Sequence, residues 1–272
     1  MNADLQRRVQ RYGWDRAEPF YEDSWKTQLA PAQELLLTRA ALKPGEWVLD
    51  VACGTGLVTF PAADAVGPDG AVMGTDLSDE MVRRVTAEAE RRGLRHVAGL
   101  QMDAEALDVP EGLFDAVLCG LGMMYFPSPF QSLLEMRRAL KPGGRAAAAV
   151  WGRRTSCGWA GIFPVVDARV STDVCPLFFD LGTGDTLATL FADAGFEDAT
   201  TDRITTTLRY DSAAAAVQAA FAGGPVAMAY ARFDAATRAD AEAAYLDTIA
   251  AFRDGDGYAI PGEFVVVRGD KR

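Results

Sequence analysis

The sequence has little of what a metal site, a disulfide framework or a membrane helix needs. Its one histidine is His96, and its four cysteines, Cys53, Cys119, Cys157 and Cys175, form no C-x-x-C pair. Zinc sites draw on closely spaced Cys and His, so we expect no metal and a thiol pool in a reducing, cytoplasmic compartment. No apolar run approaches the roughly 18 residues of a membrane helix, and the opening MNADLQRRVQ lacks the apolar core of a signal peptide.

Positive charge is also scarce. Lysine and arginine number 27 against 38 aspartates and glutamates, a net charge of −11. A field of this sign repels phosphate backbones and anionic headgroups, so nucleic acid is not an expected partner. The 272 residues are 49% apolar, enough for a full core. Composition leaves the oligomeric state open.

Between positions 47 and 151, short apolar runs alternate with helical stretches. The runs are WVLDVA, AVMGTD, HVAGLQMD, DAVLCGLG and RAAAAVW, and helices are predicted between them at 57–65, 79–92 and 128–140. This alternation is typical of a parallel sheet wound with crossover helices. We therefore predict an α/β fold with a doubly wound, mostly parallel sheet.

The flanking segments predict additions to this core. A helix is expected at 31–41, after a stretch that carries Trp14, Tyr21 and Trp25. After an irregular, aromatic stretch at 152–183, we expect a helix at 185–194, a Thr-rich strand at 199–210, further helices up to 252, and a closing strand from Phe264. The chain is thus divided into a helical segment (1–45), a core (46–152) and a cap with closing strands (153–272).

The segment VLDVACGTG, residues 48–56, is an apolar strand that runs into a glycine loop. Gly54 and Gly56 let a ligand approach the backbone because no Cβ stands in the way. Asp50 would repel a pyrophosphate but suits a ligand with an ammonium and a sulfonium. The third glycine of a dinucleotide loop is replaced by Thr59, which disfavours a nicotinamide cofactor. A tight turn without any ligand is the alternative.

Two further strands also end in aspartate. Asp76 can accept both hydroxyl protons of a ribose, and an acidic group at Asp103 can accept from an adenine amino group. The alternative for Asp76 is a helix N-cap, although Ser78 or Asp79 can fill that role. Ligands bind at the carboxyl ends of such strands, so three carboxylates along this edge indicate a cofactor site.

Together these motifs resemble the class I S-adenosylmethionine-dependent methyltransferases, and within them the ubiquinone and menaquinone biosynthesis group. The resemblance covers nearly the whole chain and rests on VLDVACGTG, GTDLSDEMV, QMDAEALDVP, FDAVLCGLGMMYFP, LKPGGR, FADAGFED and GWDRAEPFYEDSW. It implies a seven-stranded sheet with a helical cap in the C-terminal half, S-adenosyl-L-methionine as cofactor and a small-molecule methyl acceptor.

The resemblance also implies particular contacts. It sets the methionine part of the cofactor against Asp50, Ala52, Gly54 and Gly56, ribose and adenine against Asp76, Leu77, Asp103 and Ala104, and the methyl group beside Cys119. Cys53 and Met81 are further expected cofactor contacts. Tyr21 and Trp25 would close over the cofactor, unless they only pack on the core, and Trp14, Tyr125 and Trp151 are expected near the acceptor.

One departure concerns catalysis. Many relatives carry histidines after the fourth strand, where this chain has Met123, Met124 and Tyr125. No general base is strictly required for methyl transfer, and Tyr125, Tyr12 or an acidic residue of the cap is available for a hydroxyl acceptor. The cap aromatics favour an apolar or aromatic acceptor. The alternatives are a catalytically silent cofactor-binding protein and a nicotinamide-dependent oxidoreductase.

Overall fold

The computed structural model describes residues 3–170 and 178–272. Cys175 and the rest of 171–177, within the irregular, aromatic stretch, lie outside the described residues. The strands are β1 (Trp47–Val51), β2 (Ala71–Asp76), β3 (Val97–Gln101), β4 (Phe114–Gly120), β5 (Leu140–Trp151), β6 (Glu197–Tyr210), β7 (Arg253–Asp254) and β8 (Gly257–Asp270). They form one sheet in the order β3-β2-β1-β4-β5-β8-β6, and the two-residue strand β7 pairs with β8.

The first five strands are parallel, and β8 inserts antiparallel between β5 and β6. The predicted α/β fold with a mostly parallel sheet is therefore confirmed. In β5, residues 146–151 are all buried, as are Val265, Val266 and Val267 of β8. Such unbroken burial requires layers on both faces of the sheet, which explains why these strands are continuous apolar runs and do not alternate with polar residues.

Helices connect the strands and cover the sheet. They are α1 (Ala3–Ala40), α2 (Thr59–Val66), α3 (Asp79–Arg92), α4 (Pro129–Ala139), α5 (Ile162–Asp167), α6 (Thr186–Asp193), α7 (Ala213–Val217), α8 (Ala227–Tyr230) and α9 (Ala235–Thr248). Local chemistry sets some of the limits: the Ser78 hydroxyl accepts from the Met81 amide at the start of α3, and Gly93 ends that helix at φ +69°. In the described part of the chain, no helix combines the length and the apolarity that a bilayer crossing needs.

The first helix differs from the prediction. A helix was expected at 31–41, but α1 runs unbroken from Ala3 to Ala40 with Pro19 and Pro31 inside it. Each proline removes one backbone hydrogen bond, so local propensity argues for a break at these positions. Tertiary packing outweighs that cost, because α1 contacts α3 and α8 along its course as well as strands β4, β5 and β8.

Candidate active site

A cleft that is partly open to solvent follows the carboxyl edge of the sheet. Asp103 follows β3, Asp76 ends β2, Gly54 follows β1, Gly120 ends β4 and Trp151 ends β5, and all five line it. Because adjacent strands are about 4.8 Å apart, these five positions span roughly 19 Å along the edge. Helix α1 covers this edge with Arg7, Gln10, Trp14, Tyr21, Trp25 and Leu29.

Most residues expected at the site line this cleft. They are Trp14, Tyr21, Trp25, Ala52, Gly54, Asp76, Leu77, Met81, Asp103, Ala104, Tyr125 and Trp151. Four others, Asp50, Cys53, Gly56 and Cys119, do not line it. Cys53, Cys119 and Asp50 are buried close by, and the two thiols are free. The contacts of all these residues with a ligand stay predictions.

Other lining residues were not expected from the sequence. Arg7 and Gln10 share with Trp14, Tyr21 and Trp25 a spacing of three, four or seven residues. That spacing places them on one face of a helix and would have revealed them if α1 had been predicted at its full length. Leu121 and Gly122 come from a loop, where periodicity gives no signal, whereas Trp159, which also lines the cleft, is one of the cap aromatics expected at an apolar or aromatic acceptor.

Asp76 is held by backbone amides on both of its oxygens. The amide of Gly54 donates to Oδ2 and that of Ser78 donates to Oδ1, each at 2.9 Å. Burial raises the pKa of this carboxyl, while the backbone amides of Ser78, Gly54 and Leu77 favour its charged form. A carboxylate accepts at about four positions, so a vicinal diol can still donate to it.

The two loop glycines do different work. Both have positive φ, +54° at Gly54 and +93° at Gly56. A Cβ at Gly54 would have only a Tyr21 ring carbon near it, at 4.0 Å, whereas a Cβ at Gly56 would come within 2.5 Å of the Phe60 ring. Gly54 therefore leaves space on the cleft side. The absence of a Cβ at Gly56 lets the Phe60 ring, at the start of α2, pack against the loop.

Asp50 is buried beneath the glycine loop, with 1% of its surface exposed. Its Oδ2 accepts from the Thr59 hydroxyl at 2.6 Å, and its Oδ1 has no hydrogen-bond partner among the described residues. Burial raises the pKa of this carboxyl to about 7. A nearby cation would stabilise the charged form of this buried carboxyl group.

The raised pKa makes the stability of the ligand-free protein depend on pH. An unfolded aspartate has a pKa of about 3.9, so the native state holds a proton that the unfolded chain loses. The contribution of Asp50 to the free energy of unfolding is full below pH 4 and falls as pH rises towards 7, by up to about 4 kcal/mol at 1.36 kcal/mol per unit. We expect Asp50→Asn to remove this fall.

Urea unfolding at pH 5 and pH 8 measures the effect. The free energy of unfolding of the variant minus that of the unsubstituted protein should be larger at pH 8 than at pH 5. An unchanged difference between the two pH values would contradict a neutral, buried Asp50.

The β3 end of the cleft is closed by ion pairs with α1. Arg7 pairs with Asp103 at 2.8 Å and also with Glu105, and Asp15 accepts from the Ser78 hydroxyl at 2.6 Å. The Arg7 and Asp103 side chains are about 30% exposed, so this pair contributes modestly and is weakened by salt. Polar contacts and the packing of Trp14 on Tyr125 thus hold the amino-terminal half of α1 over the site.

The β5 end is aromatic. We call the group Trp25, Leu121, Tyr125, Trp151 and Trp159 the aromatic half. Its rings stack edge to face, with centroids 6.0 Å apart for Trp25 and Trp151 and 4.9 Å apart for Trp151 and Trp159. None of these five side chains carries a charge at neutral pH, so a buried charged ligand would find no partner among them.

The candidates for a general base are reduced by their positions. Tyr125 lines the cleft, whereas Tyr12 is 47% exposed on the surface. His96 lies before the amino end of β3, with Nε2 3.3 Å from the Ala63 carbonyl oxygen, and it does not line the cleft. Over residues 3–170 and 178–272, no three His, Cys, Asp or Glu side chains come together to hold a metal ion.

Comparison with known proteins finds similarity to methyltransferases. A family model described as a methyltransferase domain matches residues 48–144. Nocamycin O-methyltransferase of Saccharothrix syringae is 37% identical over 132 residues, 48% of this chain and 47% of that protein. Demethylmenaquinone methyltransferase of Geobacillus sp. is 30% identical over 180 residues, 61% of this chain and 77% of that protein. The chain spans about half the length of several curated relatives.

Solved structures agree on the fold. The YcgJ protein of Bacillus subtilis superposes with a TM-score of 0.61 at 17% identity, covering 89% of this chain and 99% of that one. The [4+2]-cyclase SpnF superposes with a TM-score of 0.57 at 21% identity, covering 88% of this chain and 79% of that one. At such identities the likeness shows the fold alone. The alignment along more than three quarters of the Geobacillus protein and the matching domain model show that this chain belongs to the methyltransferase family.

Proposed function

We propose that this chain is an S-adenosylmethionine-dependent methyltransferase that acts on a small, apolar or aromatic molecule. The observation that carries this function is the continuity of the cleft, which joins Asp103 and Asp76 at β3 and β2, and the glycine loop after β1, to an aromatic half at β4 and β5. Cofactor and acceptor would lie end to end along one sheet edge, as direct transfer between them requires. Relatives named demethylmenaquinone methyltransferase and nocamycin O-methyltransferase are consistent with a small acceptor.

The residues present fit this cofactor. Asp76 offers a pair of oxygens to the ribose diol, and Asp103 with Ala104 would meet the adenine edge. Gly54 leaves room for the methionine part, and the unpartnered oxygen of Asp50 favours a cation close by. When bound, the cofactor supplies a methyl group on a sulfonium, which is activated towards in-line displacement.

The contribution of the protein is then mainly positional. Trp25, Trp151 and Trp159 are each at most 5% exposed, so they exclude water from the β5 end of the cleft. Leu121 and Gly122 line the boundary between the two halves, where β4 ends. The acceptor has to bring its nucleophilic atom to this boundary, at a near-attack distance of about 3 to 3.5 Å from the methyl carbon.

Proton removal restricts the acceptor. Tyr125 is the one ionisable side chain in the aromatic half, and an ordinary phenol has a pKa near 10. A nucleophile that ionises by itself, or that loses its proton to solvent after transfer, therefore suits this site better than an aliphatic alcohol. The other candidates for the base were Tyr12 and acidic residues of the cap, and none of them is among the residues that line the cleft.

A cofactor-binding protein without methyl transfer is the second candidate. The scarcity of ionisable groups in the aromatic half favours it, and the fold is shared with a protein named as a [4+2]-cyclase. A nicotinamide-dependent oxidoreductase is less well supported. Thr59 replaces the third glycine of a dinucleotide loop, and its hydroxyl is engaged by Asp50.

Calorimetric titration with S-adenosylhomocysteine and with NADH tests the cofactor, and transfer of labelled methyl to neutral phenols, naphthols and thiols tests the activity. We expect micromolar binding of S-adenosylhomocysteine, no binding of NADH, and turnover with at least one aromatic acceptor. Binding of NADH alone would exclude the methyltransferase. Binding of S-adenosylhomocysteine without turnover on any acceptor would favour the silent protein.

A further inference from the structure

Trp159 carries a polar atom that the protein itself leaves unpaired. Its side chain lines the cleft and is 2% exposed, and its indole Nε1 has no hydrogen-bond partner among residues 3–170 and 178–272. A buried donor without a partner is destabilising, and native proteins leave few such groups without a reason. A partner from outside the protein would remove this cost.

The surroundings of Trp159 show where such a partner must enter. The indole is enclosed by the rings of Trp25, Trp151, Phe163, Phe178 and Phe179, with centroid distances from 4.9 to 5.8 Å. None of these rings offers an oxygen or a nitrogen lone pair as an acceptor. Among the described residues no neighbour provides the acceptor, and the cleft that Trp159 lines is a route by which a ligand can bring one.

Another tryptophan of the cleft provides a comparison. In Trp14, the indole Nε1 donates to Gln10 Oε1 at 3.2 Å. That N–H is satisfied within α1, so a ligand gains nothing from it. The two indoles lie on different parts of the cleft lining, because Trp14 packs against Tyr21 and Tyr125 whereas Trp159 packs against Trp25 and Trp151.

We propose that the Trp159 indole N–H is a specificity-determining donor that binds a carbonyl or phenolic oxygen of a flat aromatic acceptor. This assignment rests on the proposed function, since it concerns the acceptor of that same site. Aromatic walls select a flat ring system, and the Trp159 donor fixes its orientation through one oxygen. A ring of the same shape without this oxygen leaves the donor unpaired and is disfavoured.

The test uses the full chain saturated with S-adenosylhomocysteine and two probes of the same shape, 2-acetylnaphthalene and 2-isopropenylnaphthalene. They differ only in a carbonyl oxygen against a methylene group. Dissociation constants are measured for the unsubstituted protein, for Trp159→Phe, and for Trp151→Phe as a matched truncation in the same cluster. Melting curves of all three show whether the variants remain folded.

We expect the unsubstituted protein to prefer the ketone by roughly five- to tenfold, the effect of one hydrogen bond. Trp159→Phe should bring this preference to within about twofold, and Trp151→Phe should weaken both probes while keeping it. A preference that survives in Trp159→Phe, or that disappears only in Trp151→Phe, would overturn the assignment.

Two further outcomes are also decisive. Binding of S-adenosylhomocysteine with no affinity for either probe, or with equal affinity for both, would overturn the role of Trp159 and leave the cofactor site standing. Failure to bind S-adenosylhomocysteine at all would instead contradict the proposed function. If Trp159→Phe does not fold, benzothienylalanine at position 159 replaces the N–H by sulfur within the same ring shape, and the same loss of preference is expected.

Discussion

Replacement of Gly54 by valine is expected to reduce affinity for S-adenosylhomocysteine at least 100-fold, about 2.8 kcal/mol of binding free energy. The Cβ position at Gly54 is open towards the cleft, with only a Tyr21 ring carbon near it at 4.0 Å. A branched side chain would fill the space where the methionine part of the cofactor lies in the proposed complex. Calorimetric titration measures the loss.

Backbone strain needs a matched control. Gly54 has φ +54°, so valine there costs about 1 to 3 kcal/mol of stability whatever the ligand does. Gly184 has nearly the same φ, +56°, with open space around its Cβ position, and it does not line the cleft. Gly184→Val should lower the melting temperature in the same way and keep full affinity.

A similar substitution at Gly56 would answer a different question. Its Cβ would clash with the Phe60 ring, so a loss of binding there would report a displaced α2. Equal affinity in Gly54→Val and in the unsubstituted protein would mean that the glycine loop is only a turn.

Replacement of Asp76 by alanine is expected to weaken S-adenosylhomocysteine about 100-fold or more. The variant loses the acceptor for the ribose diol, and bonds to a charged group contribute about 1.5 to 3 kcal/mol each. It also frees the amides of Gly54 and Ser78, which Asp76 holds at 2.9 Å, so the loop is less well organised for binding. Affinity is again measured by calorimetry.

The stability of this variant should change little. Burial raises the pKa of Asp76, so removing the carboxyl relieves a desolvation cost while it breaks two hydrogen bonds. Asp79→Ala is the matched control, because it removes a neighbouring carboxylate that pairs with Arg11 and does not line the cleft. Unchanged affinity in Asp76→Ala with an intact melting curve would refute the ribose contact.

Much of the fold could be predicted from the sequence, and so could the part of the site at the ends of β1, β2 and β3. Strand runs such as WVLDVA and AVMGTD are local patterns, and the carboxyl ends of parallel strands meet at one edge. Knowing that Asp50, Asp76 and Asp103 stand at or just beyond the ends of successive strands was therefore enough to predict that they lie near one edge. Gly54 and Asp76 also form a hydrogen bond across 22 positions, a contact that this edge makes possible.

Tertiary structure alone decided the rest. Packing keeps α1 helical through Pro19 and Pro31, although each proline favours a break, and only then do Arg7 and Gln10 reach the cleft. The sequence alone determined which residues sit at strand ends, because that depends on local periodicity. It could not determine that Trp25 packs against Trp159, more than a hundred positions away, or that the Phe60 ring occupies the space where a Cβ of residue 56 would lie. Such contacts depend on how whole elements pack, and no local pattern encodes that packing.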